Sequence, residues 1–202
     1  MGGLTWSPSI FKDSELELPA QQQIITTTRH WVDHLVVGLN LCPFAQAELL
    51  NQRVRFEVTS VTDEAGLLET LQAELVLLDQ QPGIETTLLI HPRAVTEFGQ
   101  YNQFLDQVDL LLETGDWLGI YQVASFHPDY QFGGTYPDDA ENYTNRSPYP
   151  MLHLLREQSL ERAIERYGDT DQIPQRNIEL LEQMGSQQLA GLLAACFDSH
   201  GD

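Results

Sequence analysis

GIYQVASFHP, residues 119–128, is a mostly apolar run that stops at a His-Pro pair, and the chain ends an earlier run the same way in TTLLIHP at 86–92. Proline fixes its own φ, lacks an N–H and pushes the preceding residue into extended geometry. Each histidine, His91 and His127, therefore reads as the last residue of a strand before the chain turns away. Upstream, RVRFEV at 53–58 alternates Val54, Phe56 and Val58 with Arg53, Arg55 and Glu57, the period of a one-sided strand. Strands are expected near 53–59, 85–91 and 119–127.

Helical patterns separate them. Ile24, Thr28, Trp31, Val32, Leu35, Val36 and Leu39 recur at helical spacing until Gly38, Asn40 and Pro43 stop the pattern. Thr62 is placed to cap a second helix whose stripe is Leu67, Leu71, Leu75 and Leu78, ended by Gln81, Pro82 and Gly83. Phe98, Tyr101, Leu105, Val108 and Leu112 share a face of a third helix, which Gly115 closes. Further helices are expected at about 150–166, 174–184 and 186–197. Strand, helix, strand, helix, strand implies parallel crossovers. The fold class that follows is α/β, a small, mainly parallel sheet of three or more strands with helices packed on it and a helical C-terminal part. Residues 1–20 read as a loose arm and 21–202 as a single domain, consistent with the chain's length.

Thirty acidic residues against ten basic give a formal net charge of −20, which argues against nucleic acid as a partner. No apolar run approaches the ~20 residues that span a bilayer. The opening MGGLTWSPSIF shows no basic region followed by an apolar stretch, and Cys42 and Cys196 have no CxxC spacing, so a cytoplasmic protein with free thiols is expected. The basic set is one lysine, Lys12, and nine arginines, a bias toward paired or anion-facing positions.

The chemistry concentrates in FHPDYQFGGTYPDDAENYTNRSPYPMLHLLRE, residues 126–157. A loop of this length is uncommon in a compact domain unless it is functional or disordered, and Tyr130, Phe132, Tyr136, Tyr143 and Tyr149 give it apolar mass to bury. MLHLLRE reads as a helix with Ser147 as cap, placing His153 in its first turn beside Arg146. With parallel strands, His91 and His127 emerge at the carboxyl edge where open α/β sheets bind ligands.

Three motifs, GLNLCPFA at 38–45, SFHPDYQF at 125–132 and NRSPYPMLHLLRE at 145–157, closely resemble the uncharacterised family DUF1415 over about residues 24–185. The resemblance implies no activity and carries over no residue roles.

Three functions compete. The first is an enzyme or binding protein for a small anionic metabolite, with His127, His153 and Arg146 as catalytic candidates. In that reading Asn142, Asn145, Tyr149 and Arg156 bind ligand or cofactor, the cofactor being unspecified. The second is a metal site on His91, His127 and His153, with Cys42 or Asp129 nearby. The third is an adaptor whose acidic surface meets a basic protein, the long loop only bracing the fold. Against the first two stands a plain alternative, in which the histidines and Arg146 bond loop carbonyls and hold the loop down.

Overall fold

A computed structural model describes residues 16–198. The expected arm lies mostly on residues 1–15, outside the described residues. Where it is described it is anchored: Leu16 is buried and helix α1, Leu18–Trp31, has begun. The helix runs on as a π-helical segment, Val32–Val37, before turning at Asn40, whose φ is 53°. A Cβ at Gly38 would lie 2.3 Å from the His34 carbonyl oxygen, so the chain can leave this helix only through glycine.

Next come α2 (Ala45–Leu50), β1 (Val54–Val58), α3 (Glu64–Gln80), β2 (Thr86–Ile90), α4 (Phe98–Thr114) and β3 (Tyr121–Phe126). The short α2 carries no sequence signal that was expected. Asp63, not Thr62, caps α3, its Oδ1 accepting from the Gly66 N–H at 2.8 Å. The anticipated stripe Leu67, Leu71, Leu75 and Leu78 is wholly buried, each leucine contributing about 1.5–3 kcal/mol relative to exposure.

The segment 150–156 overturns two expectations. MLHLLR is not a helix but β4, Met151–Arg156, and the helix α5 starts only at Glu157 and ends at Tyr167. The sheet order is β1-β2-β4-β3: β1 and β2 are parallel, but β4 is antiparallel to both β2 and β3. The sheet is therefore mixed, with two of its three pairings antiparallel, rather than mainly parallel. The physical reason is a vacant slot. β2 and β3 run in the same direction but do not pair, so each presents unpaired N–H and C=O groups to the gap. The return strand fills it, with His153 opposite Leu88 on one side and Ala124 on the other. Two ladders override the helix propensity of Met, Leu and Arg.

Helices cover both faces. On one, Leu89, Leu152, Leu154 and Tyr121 pack under the leucines of α3 and under Tyr101, Phe104 and Val108 of α4. On the other, Phe56, Val58, Leu88, Ile90 and Met151 meet Ile24, Trp31 and Leu35, together with Cys196 of α7 (Ser186–Asp198). α6, Ile173–Met184, and α7 share a third cluster with Leu41 and with Tyr143 of the long loop.

Candidate functional site

Because β2 and β3 are both antiparallel to β4, they run together and His91 and His127 do leave the sheet at the same edge. Tyr101 lies against both rings, 5.7 Å from His91 and 5.2 Å from His127. The shared edge survives although the direct pairing does not. What these histidines do there is structural in its hydrogen bonds. His127 donates from Nε2 to the Thr96 carbonyl at 3.0 Å and accepts at Nδ1 from the Asp129 N–H at 3.0 Å. His91 donates from Nδ1 to the Ala94 carbonyl at 3.0 Å, and its Nε2 is buried without a partner. Burial pulls the pKa of His91 down to about 4 and lowers that of His127, so both are neutral at pH 7.

The loop after His127 is knotted to itself. Arg146 donates to the carbonyls of Tyr130 (3.2 Å) and Pro137 (2.6 Å), and its guanidinium lies 4.7 Å from the Tyr143 ring centre. Asn142 accepts from the Phe132 N–H and the Thr135 hydroxyl and donates to the Tyr136 carbonyl. Asn145 donates to Ser125 O, and Ser147, expected to cap a helix, donates to Tyr149 O. Tyr149 packs its ring on Phe197. Arg156 sends its guanidinium to the carbonyls of Leu78 and Ile84 and to the Tyr121 hydroxyl, closing the end of α3. With no helix starting at 150, no helix dipole stands behind Arg146.

His153 belongs elsewhere. Strand alternation turns it to the α1 face with Met151, whereas His127 packs against Phe98 and Tyr101 on the α4 face. The expected grouping of His127, His153 and Arg146 is not formed. Nor is the triad His91, His127 and His153: among the described residues no three His, Cys, Asp or Glu side chains are placed to hold a metal ion.

What His153 does line is a cavity of about 280 Å³ between the sheet and the helices α1, α2 and α5. Its walls are apolar, from Trp31, Val36, Leu49, Leu88, Phe126 and Leu160, with Cys42 among them. The Thr86 hydroxyl donates to the Leu154 carbonyl at 2.5 Å, so it must accept from His153 Nε2 at 2.7 Å. That relay fixes the tautomer and leaves Nδ1 as an acceptor with no partner among the described residues. Desolvation alone takes the His153 pKa to about 4. Burial also raises the pKa of the Cys42 thiol, so it is protonated and unreactive at neutral pH.

A second cavity of about 270 Å³ adjoins the first and shares Glu48, Glu85, Ser159 and Ala163 with it. Here the walls are charged: Arg53 pairs with Glu48 at 2.6 Å and Glu85 at 3.2 Å, and Arg162 and Arg166 stand on α5. These residues escaped the sequence reading, which looked for chemistry in one dense motif. The available signal was ERAIER, two arginines one turn apart on a helix of an acidic chain.

The arrangement is an α/β/α sandwich with a partly open apolar chamber whose wall carries one oriented imidazole, His153. The chain belongs to the family described as Protein of unknown function (DUF1415), whose profile matches residues 23–191 of its 202. No curated protein and no solved structure matches it. Among the described residues no helix is long and apolar enough to cross a membrane.

Proposed function

We propose that the protein binds a small, largely apolar molecule, as a carrier or as an enzyme, in the chamber above the α1 face of the sheet, with His153 Nδ1 accepting a hydrogen bond from it. The observation that carries this is the Leu154–Thr86–His153 relay. A polar side chain set in an apolar wall normally has its bonding capacity used, and here a chain of hydrogen bonds leaves one acceptor of the half-buried His153 over. The volume of about 280 Å³ sits at the small end of ligand pockets. The strand-end histidines, Arg146 and the loop asparagines act in this reading as the clasp that holds the loop.

Two variants separate the roles. Leu88→Trp fills the chamber and should abolish the blue-shifted fluorescence of an apolar dye such as anilinonaphthalene sulfonate, whereas Arg146→Ala should leave dye affinity within about twofold while lowering stability by about 2–3 kcal/mol. Dye binding that survives Leu88→Trp in a folded protein would place the ligand elsewhere. If it fails with Arg146→Ala while the melting temperature stays unchanged, the site returns to the loop.

A further inference from the structure

The arginines at the chamber's mouth are oddly placed for a chain with thirty acidic residues. Arg162 and Arg166 are one helical turn apart, a spacing at which like charges repel. Acidic residues are plentiful, and Glu161 and Glu165 are on the same helix, yet the ion pairs near the mouth are those of Arg53 with Glu48 and Glu85. Arg162 instead donates to the Ser159 hydroxyl at 2.9 Å and to the Gln158 carbonyl at 3.2 Å. Ser159 thus accepts from Arg162 and keeps its own O–H to donate. Arg53 is flanked by both Glu48 and Glu85, so the three arginines and two glutamates at the mouth leave one net positive charge, on the side of the two α5 arginines.

Resting on the chamber reading above, we infer that the ligand is a small acid: an apolar body occupies the chamber, and an anionic head of the carboxylate kind meets Arg162, Arg166 and the Ser159 hydroxyl at the mouth. Glu48, Glu85, Ser159 and Ala163 line both spaces, so the two are immediate neighbours and the inferred ligand would pass between these four side chains. The same arrangement selects against dianions and bulky polyphosphates, because Glu48 and Glu85 stand beside the two positive charges. It also explains why both arginines of this helix, which carries three glutamates as well, line the space beside an apolar cavity. An arginine cluster serving solubility alone has no reason to sit there.

Matched octanoate and octanol, titrated calorimetrically at pH 7 and low salt, test the head group apart from the chamber. The native protein should take octanoate about tenfold more tightly than octanol. Arg162→Gln combined with Arg166→Gln should erase that preference while leaving octanol affinity unchanged, both arginines being exposed and outside the core. Equal affinities in the native protein would overturn the acid and leave the chamber standing. Binding of neither, or a preference untouched by the double variant, overturns the inference, and the first of these takes the chamber reading down with it.

Discussion

His91 has one nitrogen satisfied and one orphaned in a fully buried position. Burial strips water from a protonated ring there, and its second N–H⁺ would have no acceptor, so its pKa falls from 6.5 to about 4. The sign for stability follows. Between pH 6.5 and 4 the unfolded chain binds the proton and the folded chain does not, so the contribution is whole above pH 6.5 and is lost as pH falls through that window. The total is ~3 kcal/mol for His91, and His153 loses its share over the same range. His91→Asn keeps a donor for Ala94 and cannot titrate. Urea unfolding at pH 6.5 and 4.5 should therefore show a smaller acid loss in the variant than in the parent, by about 2 kcal/mol. Equal losses would mean that His91 is protonated without penalty.

At the scale of elements, the helices differ in how firmly they are held. α3 buries four leucines and Glu74, whereas α5 has no fully buried residue and meets the rest of the fold through Leu160, Ala163 and the edge of Tyr167 on Phe44, 5.8 Å between ring centres. It follows β4 without a linker and ends at Gly168, whose φ of 89° suits glycine. Sparse burial means a small opening free energy, so its backbone amides should exchange with deuterium well before those of α3 and β4. A bound acid would tie α5 to the mouth and slow that exchange. Mass-resolved exchange of the 157–167 segment with and without octanoate reads both effects, and protection equal to that of α3 in the unliganded protein would refute the weak hold on α5.

The same elements show what the sequence could disclose. β1, β2, β3 and the stripes of α3 and α4 announced themselves because each buries one face or one continuous run, and burial is what periodicity records. β4 was illegible for the opposite reason. Five of its six residues are good helix formers, and only the empty slot between β2 and β3, a property of other segments, makes them a strand. Once MLHLLR is extended, His153 passes to the α1 face and the imagined cluster with His127 and Arg146 dissolves. The histidines at the strand ends were found correctly as a pair at one edge. Their roles were hidden because a satisfied histidine and a reactive one have the same letters.

For the whole molecule the dominant fact is charge. Thirty acidic residues against ten basic leave −20, and Arg53 and Arg55 between them pair with only four carboxylates, so most carboxylates have no basic partner to compensate them. Repulsion of this kind destabilises the compact state and is screened over a Debye length that shrinks from about 30 Å at 10 mM salt to about 8 Å at 150 mM. Sodium chloride should therefore raise the melting temperature of the unliganded protein by a few degrees over that range, since 1 kcal/mol corresponds to about 2–4 °C for a domain of this size. Head-group binding should respond oppositely, because octanoate must be drawn to two exposed arginines that the same salt screens. The two trends act on one sample and differ in sign. A melting temperature that falls with salt would show the Arg53 and Arg55 pairs outweighing the general repulsion. To separate screening from chloride occupying the mouth, the series is repeated on the Arg162→Gln, Arg166→Gln protein. A rise of the same size there assigns the effect to the net charge, and a rise that disappears assigns it to anion binding between the two arginines.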